Sequence, residues 1–475
     1  MNRVARPAFL DPDRLFPLNP APRRLARAIY DSVKDLPIVS PHGHTDPRWF
    51  ADDMAFPDPA QLFVTPDHYV FRMLCSQGVD LSDLGVPRVD GGATETDGRK
   101  IWRRFAENFH LFRGTPSRMW LDQAFVDVFG VEERLNAASA DRVYDHIADC
   151  LCRPEFRPRA LFERFGIEVI ATTESPLDDL ASHQKIAASG WTGRVITAYR
   201  PDAVIDPEFE GFAANIEKFG ALAGVDATTW AGYLDAHRNR RAYFKAVGGA
   251  TSTDHGHPSA RTEYLPQSEA AALFAKALAG QCSAEEADAF RGHMLTEMAR
   301  MSLDDGLVMQ IHPGSFRNHS SQVFARHGRD KGFDIPMRTD YVRALKPLLD
   351  AVGMDPRLTL ILFTLDETAY SRELAPLAGV YPALRLGPAW WFFDSAEGMR
   401  RFRELTTETA GFYNTVGFND DTRAFCSIPA RHDVARRVDC AYLATLVATG
   451  RLAEDEAYEV AHDLTYRLAK QAYRL

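Results

Sequence analysis

Two histidines separated by one residue follow the first short apolar run of the chain. His42 and His44 lie in the segment Pro41–Asp46. This segment directly follows the apolar run Leu36–Ser40. Because alternate residues of a strand point the same way, both imidazoles can approach one metal ion from a single strand end. A lone His-x-His pair also occurs in proteins without a metal, so its position after a strand is what favours a metal site.

A carboxylate-rich segment follows the last short apolar run. The residues Asn419–Asp421 come directly after the run Thr415–Phe418. In a closed barrel the eighth strand pairs with the first, so a carboxylate leaving strand eight comes close to imidazoles leaving strand one. The alternative is that Asn419–Asp421 only caps the helix that follows.

The elements that would position these residues are short apolar runs that end in turn or polar residues. The runs predicted to be strands are Leu36–Ser40, Ile167–Thr172, Arg194–Tyr199, Tyr243–Gly248, Leu307–Ile311, Leu358–Phe363, Ala383–Gly387 and Thr415–Phe418. Spacers such as Arg338–Val352 and Ala396–Ala410 are long enough for one helix each. This alternation predicts an α/β fold, a distorted (β/α)₈ barrel of the TIM type.

The spacer between the first two runs is far longer than a single crossover and is predicted to be mostly helical. Its predicted helices are Asp67–Gln77, Lys100–Phe112, Ser117–Phe129 and Asp141–Cys150. We therefore expect an N-terminal segment over residues 1–35 and a barrel over 36–475, with a large helical insertion at 50–165. A smaller helical insertion is expected at 255–305, where Ser268–Leu303 has a helical pattern throughout.

Composition and charge narrow the class of protein. With 45% hydrophobic and 25% charged residues, the 475-residue chain has the composition of an ordinary globular protein. The net charge is −10 and no Lys/Arg run of the kind that tracks a phosphate backbone occurs, so nucleic acid is not an expected partner. Met1–Pro22 lacks the apolar stretch of a signal peptide, and six dispersed cysteines suit a reducing compartment. We expect a cytoplasmic homo-oligomer without membrane contact.

Seven ordered segments resemble one known family. They are Pro41–His44, Pro66–Tyr69, Ala171–Pro176, Tyr199–Asp202, Gln310–Asn318, Trp390–Phe392 and Asp421–Arg423. Together they resemble the uronate isomerase (glucuronate isomerase) branch of the amidohydrolase superfamily, from about Asp31 to the C-terminus. The resemblance implies aldose–ketose isomerisation of D-glucuronate to D-fructuronate, and of D-galacturonate to D-tagaturonate, by proton transfer through a cis-enediol.

The resemblance also implies roles for individual residues. It implies one Zn²⁺ per chain, with other divalent metals allowed, bound by His42, His44 and Asp421. It implies a catalytic set of Asp421, Arg423, His68 and Tyr69. It implies that the residues lining the substrate pocket are Arg200, His312, Trp390 and Trp391. Asp421 rather than its neighbour Asp420 is selected by the Asp-x-Arg spacing.

The chemistry of the implied reaction agrees with these residue types. Moving a proton between C2 and C1 requires a base, a group that handles the oxygen protons, and positive charge at the developing oxyanion. Asp421, then Tyr69 with His68, then Arg423 can supply these in that order. The alternative for His68 and Tyr69 is ordinary helix packing. For Arg200 the alternative to a substrate-carboxylate clamp is a structural salt bridge.

A second metal is not expected. Relatives with two metals need a carboxylate after strand four and a histidine after strand six. The fourth predicted run continues into Gly249–Thr253 and the sixth into Thr364–Asp366, and neither supplies the expected ligand. A second His-x-His, within Asp254–His257, lies among polar residues and is predicted to be a solvent-exposed turn.

Two other functions stay open at the level of sequence. One is a metal-dependent hydrolase of the same fold, in which Asp421 would activate a metal-bound water against an amide or lactone. The other is a uronate-binding or regulatory protein that keeps the pocket without turnover. The presence of every candidate catalytic group argues against the second.

Overall fold

The computed structural model describes residues 10–475, and its central feature is a parallel β-sheet. The strands are β1 (Ile38–Ser40), β2 (Ile167–Glu174), β3 (Arg194–Tyr199), β4 (Ser252–His255), β5 (Val308–Ile311), β6 (Ser315–Phe316), β7 (Ile335–Pro336), β8 (Leu360–Leu362) and β9 (Leu384–Leu386). Seven of them form the parallel sheet in the order β1-β2-β3-β4-β5-β8-β9, while β6 and β7 form an antiparallel ribbon. Because sequential strands are neighbours and run parallel, all their carboxyl ends meet at one edge.

The predicted eighth strand is reduced to one bridge. Thr415 pairs in parallel with Leu386 of β9, and the N–H of Val416 donates to the carbonyl of Leu386 at 3.1 Å. Further along, the N–H of His44 donates to the carbonyl of Thr422 at 3.1 Å. The strand predicted over Thr415–Phe418 was therefore wrong in extent, but the segment still runs from β9 towards the exit of β1.

The first group of helices precedes β2. They are α1 (Pro20–Val33), α2 (Pro47–Asp52), α3 (Pro59–Phe63), α4 (His68–Cys75), α5 (Gly98–Glu107), α6 (Pro116–Gln123), α7 (Ala140–Leu151) and α8 (Pro158–Arg164). Each of the four helices predicted between the first two strands has a counterpart, from α4 to α7. Proline at the first helical turn recurs in this group because its fixed φ suits a helix start and its missing N–H costs no bond there.

The remaining helices alternate with the later strands and follow them. They are α9 (Ala181–Ala188), α10 (Asp202–Ile205), α11 (Phe212–Ala223), α12 (Trp230–Gly248), α13 (Gln267–Leu278), α14 (Ala284–Asp305), α15 (Ser321–His327), α16 (Lys346–Val352), α17 (Ala375–Ala378), α18 (Ala396–Ala410), α19 (Ile428–Ala448), α20 (Glu454–His462) and α21 (Leu468–Tyr473). The pattern over Ser268–Leu303 corresponds to two helices, α13 and α14. No helix within residues 10–475 is both long and apolar enough to cross a membrane.

The prediction for the fourth strand was wrong. Tyr243–Gly248 is the last part of helix α12, and the fourth strand is Ser252–His255. The buried Phe244 of the helix gave that segment an apolar character that resembled a strand. The true strand consists of polar residues, which an apolar-run criterion passes over.

The hydrophobic side chains pack in more than one cluster. The largest cluster surrounds the sheet and includes Val308, Leu360 and Leu384. A second cluster lies among helices α3 to α8, where Trp102 and Phe125 pack edge to face with ring centroids 5.8 Å apart. The helices that follow β1 thus bury much of their apolar surface against one another.

Candidate active site

All the residues that the sequence singled out for metal binding, catalysis or substrate binding line one cavity. They are His42, His44, His68, Tyr69, Arg200, His312, Trp390, Trp391, Asp421 and Arg423. The cavity has a volume of about 830 Å³ and lies at the carboxyl ends of the parallel strands. In folds built on a parallel sheet, that edge is where the connecting loops carry the chemistry.

His42, His44 and Asp421 converge on one point of this cavity. Nε2 of His44 lies 3.1 Å and Nε2 of His42 lies 3.5 Å from Oδ1 of Asp421. The three ligand atoms lie within 4.8 Å of one another, and among residues 10–475 this is the one such group of three metal-ligating side chains. In the described part of the chain, Oδ1 of Asp421 is buried and accepts no aligned hydrogen bond. Two imidazole nitrogens and a carboxylate oxygen that face one another fit a mononuclear metal site.

Asp421 is the carboxylate that faces the histidines, as the Asp-x-Arg spacing indicated. Oδ2 of Asp420 instead lies 3.0 Å from Nε2 of His432 in helix α19. Oδ2 of Asp421 accepts a hydrogen bond from the indole Nε1 of Trp390. Although burial alone would raise it, the pKa of the Asp421 carboxyl is held far below its ordinary value by the two histidines and by Trp390.

The backbone of the site is strained at several positions. Asp421 has a φ of 38°, in the left-handed region that residues other than glycine rarely adopt. Asn318, Asp330 and Trp391 have φ values of 53°, 59° and 53° and line the same cavity. Strain of this kind costs about 1–3 kcal/mol per residue and persists where the surroundings over-determine the conformation. Its concentration here indicates a cavity shaped for binding.

His42 is supported from behind by strand β5. The side-chain amide of Gln310 lies 3.4 Å from Nδ1 of His42, the ring nitrogen remote from Asp421. Gln310 in turn accepts a hydrogen bond of 2.8 Å from the hydroxyl of Tyr473. This contact restrains the orientation of the His42 ring. Burial lowers the pKa of His44, which favours the neutral ring that a metal requires.

The segment Asp254–His257, predicted to be a solvent-exposed turn, is buried. Asp254 and His255 end strand β4, and both are 0% exposed. Oδ1 of Asp254 lies 2.8 Å from Nε2 of His312, and Oδ2 lies 3.4 Å from Nη1 of Arg200. The prediction failed because the polar residues of a buried strand look like loop residues.

Strand four therefore does end in a carboxylate, contrary to the argument that favoured a single metal. Asp254 is nevertheless engaged by His312 and Arg200 and does not join the group that contains the two histidines following β1. Although burial alone would raise it, the pKa of Asp254 is held well below its ordinary value by His312, by His42 and by Arg200. Among residues 10–475, the geometry still shows one group of three side chains that could hold a metal.

Arg200 is held in place by its neighbours. Its Nε donates to Oδ2 of Asp202 at 2.9 Å, in addition to its contact with Asp254. A Cβ at Gly256 would lie 2.6 Å from Nη2 of Arg200 and 2.7 Å from Cε1 of His312, so only glycine allows this close packing. Arg200 thus forms structural ion pairs and lines the cavity at the same time, and the two interpretations of this residue are compatible.

Tyr69 lies at the start of helix α4, where Asp67 caps the helix by accepting the N–H of Tyr69 at 2.8 Å. The Tyr69 hydroxyl lies 3.1 Å from both the carbonyl of Trp391 and Oδ2 of Asp394, and these two acceptors share its single O–H. Burial, with Asp394, raises the pKa of Tyr69 well above its ordinary value. The phenol is therefore protonated at neutral pH.

His68 packs against Tyr69 with ring centroids 4.8 Å apart. Its Nε2 is buried without a hydrogen-bond partner in the described residues. Burial and the nearby Arg423 lower the pKa of His68 well below its ordinary value, so the imidazole is neutral. A neutral ring with an open nitrogen can take up or pass on a proton.

Sequence reasoning missed several charged residues around the cavity. Asp254 left a detectable signal, because its Asp-His-Gly-His segment repeats the alternation seen around His42. Asp202, two residues after Arg200, was included only as the last residue of the segment Tyr199–Asp202, with no role of its own. Asp394 left no signal, because an isolated aspartate in a loop is typical of a solvated surface.

Comparison with known proteins assigns the family. Residues 18–473 match a family model described as glucuronate isomerase. A uronate isomerase from Rhizobium meliloti (strain 1021) is 70% identical over 467 residues, which cover 98% of this chain and 99% of the relative. The crystal structure of glucuronate isomerase from Caulobacter crescentus superposes with a TM-score of 0.96 at 61% identity, covering 98% of this chain and 96% of that one. The uronate isomerase structure from Thermotoga maritima gives a TM-score of 0.90 at 26% identity, covering 98% and 99%. The chain belongs to the glucuronate isomerase family.

Proposed function

We propose that this chain interconverts D-glucuronate with D-fructuronate, and D-galacturonate with D-tagaturonate, in the cavity described above. Family membership supports the reaction. The observation that carries the assignment to this cavity is the convergence of His42, His44 and Asp421 in a space also lined by Arg423. One substrate in this cavity could therefore contact a metal bound by these side chains, an acid–base group and the cationic side chain of Arg423.

The cavity suits an open-chain hexuronate in size and charge. Its volume of about 830 Å³ falls within the usual range for small-ligand sites, roughly 300–1,000 Å³. Arg200 is the proposed clamp for the substrate carboxylate, because its planar fork is already oriented by Asp202 and Asp254. His312 and Trp390, with ring centroids 5.1 Å apart, would form one wall. Trp391 would add apolar surface that excludes water.

We further propose that the metal is zinc, one per chain, held by His42, His44 and Asp421. When bound, the ion would anchor the substrate carboxylate and a neighbouring hydroxyl, acting as a template for the open-chain sugar. Lone pairs from the buried imidazole of His42 and from the partly buried His44 and Asp421 are the donor set that supports this choice.

The proton transfer follows from the positions of the remaining groups. Asp421 removes the proton from C2 of the aldose, while the C1 carbonyl oxygen gains a proton from Tyr69 assisted by His68, giving the cis-enediol. The O2 proton then leaves towards that pair, and Asp421 returns its proton to C1, giving the C1 hydroxymethyl and the C2 ketone. Arg423 stabilises the negative charge that develops on the oxygen.

We also propose the finer fold that the sequence predicts, a closed barrel with two helical insertions. We infer that the segment after Thr415 completes a distorted eight-membered barrel and that residues 50–165 and 255–305 are helical insertions into it. The bridge between Thr415 and Leu386 and the contact between His44 and Thr422 support closure. The separate apolar cluster of helices α3 to α8 supports the first insertion.

Proton NMR in D₂O with both hexuronates, together with zinc analysis of the same sample, tests the proposed function. An isomerase forms the ketose and incorporates deuterium at the transferred position. Cleavage of a lactone or amide panel without uronate turnover would favour the hydrolase. Binding of uronate without exchange would favour a protein that has lost turnover.

A further inference from the structure

An arginine buried in helix α19 lies beneath Tyr69. Arg431 is 2% exposed, and its guanidinium carbon lies 3.6 Å from the ring centroid of Trp120 and 5.2 Å from that of Tyr69. A charge that is removed from water needs close partners. Two aromatic faces supply part of that compensation.

The remaining partners of Arg431 lie on two different loops. Nη1 donates to Oδ2 of Asp394 at 2.9 Å and to the backbone carbonyl of Asp420 at 3.3 Å. Asp420 immediately precedes Asp421, so one guanidinium group contacts both the loop that carries the proposed base and Asp394. Nε of Arg431 also donates to Ser427 in the turn before α19.

Asp394 connects this arginine to Tyr69. Oδ2 of Asp394, which accepts the hydrogen bond from Arg431, also lies 3.1 Å from the Tyr69 hydroxyl. The second acceptor of that hydroxyl, the carbonyl of Trp391, belongs to the turn between Trp390 and Asp394. The position of the Tyr69 hydroxyl is thus fixed by a short loop whose first residue, Trp390, also donates to Asp421.

We propose that Asp394, held by Arg431, is a positioning residue that sets the Tyr69 hydroxyl relative to the loop carrying Asp421. This inference rests on the catalytic role of Tyr69 given under the proposed function. Asp394 is not required to touch substrate, because it acts through the phenol. A phenol whose oxygen is held in this position needs only to turn its single O–H from Asp394 to the substrate oxygen, and limiting reorganisation in this way is how preorganised groups accelerate a reaction.

The test compares kcat, KM and zinc content for Asp394→Asn, Tyr69→Phe and the double variant. Tyr69→Phe should lower kcat at least about tenfold, and Asp394→Asn should lower it about three- to thirtyfold with KM changed less than about threefold. Because Asp394 acts through the phenol, the double variant should lose no more than Tyr69→Phe alone. Zinc content should match the wild type in all three.

The chain offers a matched control, Asp439, on helix α19, which also carries Arg431. Asp439 pairs with the buried Arg403 through bonds of 2.7 and 2.9 Å, and its side chain is 10% exposed, as is that of Asp394. Asp439→Asn removes an equally buried charge without a contact to Tyr69. Any loss it causes in kcat should multiply with that of Tyr69→Phe.

Unpaired buried charge could prevent Asp394→Asn from folding, so a second variant is needed. Asp394→Asn with Arg431→Gln removes both charges together and avoids leaving one alone. The same non-additivity with Tyr69→Phe is expected in that background. Multiplicative losses for Asp394 and Tyr69 would overturn the positioning role alone. Wild-type kcat in Tyr69→Phe would overturn both that role and the catalytic assignment of Tyr69.

Discussion

Nε1 of Trp390 donates a hydrogen bond to Oδ2 of Asp421, while Oδ1 of the same carboxylate faces His42 and His44. The two oxygens of Asp421 therefore have different surroundings. One is directed at the metal-ligating group and the other is held by an indole. Trp390 consequently controls how the carboxylate is presented to a substrate.

Replacement of Trp390 by Phe should lower kcat about tenfold to hundredfold, because a hydrogen bond to a charged group contributes about 1.5–3 kcal/mol. The apolar wall is kept, so KM should change little. Steady-state kinetics checks this, with Trp391→Phe as the control. The buried Nε1 of Trp391 has no partner in the described part of the chain, and the loss of that N–H should matter less. Equal losses in both variants would argue against a role for the Trp390 bond.

Zinc content tests the proposed ligands. The purified protein should hold about one zinc per chain, and His42→Ala or His44→Ala should reduce this to a small fraction, since three protein ligands define such sites. His312→Ala is the control, because His312 lines the same cavity but pairs with Asp254. Mass spectrometry of the metal bound to native protein gives the count. A stoichiometry near two, or unchanged retention in both variants, would contradict a mononuclear site.

Arg423→Lys should lower kcat by about a hundredfold with KM changed less than about threefold, because the planar fork matters most when charge develops on the substrate oxygen. Arg48→Lys serves as the control, since Arg48 is largely exposed and pairs with Asp46 at the surface. Initial rates over a range of uronate concentrations separate the two constants. A near-normal kcat for Arg423→Lys would make Arg423 a structural residue.

Stability should depend on the protonation of Glu174 at the end of β2. Burial raises the pKa of this carboxyl from 4.5 to about 7, although hydrogen bonds from the hydroxyls of Thr197 and Thr172 act to lower it. The folded state therefore binds the proton more readily than the unfolded chain, and the stability that Glu174 contributes at low pH is lost as pH rises from about 4.5 to 7. Glu174→Gln should flatten that dependence, by an amount on the order of 1–3 kcal/mol. Denaturant unfolding at pH 5 and pH 8 measures it.

Glu168 provides a control of opposite sign. Partial burial alone would raise the pKa of the Glu168 carboxyl, but Lys470 and Tyr466 lower this pKa overall. Its contribution is present above pH 4.5 and is lost as pH falls, so Glu168→Gln should not remove the loss between pH 5 and pH 8. An unchanged pH dependence in Glu174→Gln would show that another group is responsible.

How well the sequence predicts a strand of this fold depends on whether the buried residues of that strand are apolar or polar. Arg194–Tyr199 was predicted with its observed bounds because a parallel strand that is buried on both faces has a nearly continuous apolar run, and the last four residues of this strand are buried. Strand β4 was missed because Ser252–His255 is polar throughout although all of it is buried, so the apolar signal of a strand is absent. Asp254, which pairs with the cavity residues His312 and Arg200, is one of the residues that conceal the strand.

The candidate site was predictable where the chemistry resides in short motifs. His42, His44 and Asp421 could be placed together by the closure of a sheet, and the structure brings them together. Asp394 and Arg431 could not be found in this way. Their meeting depends on the packing of helix α19 against helix α18, which begins just after Asp394, and no local spacing encodes that packing.

Deuterium incorporation at the transferred position decides whether Asp421 is the base. Asp421→Asn should bind uronate yet lose at least about a thousandfold in exchange rate in D₂O, since general-base catalysis contributes about 10²–10⁴-fold and the carboxylate also orients the metal. Asp420→Asn, whose native carboxylate pairs with His432, should still exchange. Proton NMR of both variants with glucuronate gives the two rates on the same scale. Exchange at the wild-type rate in Asp421→Asn would contradict the assignment of Asp421 as the base.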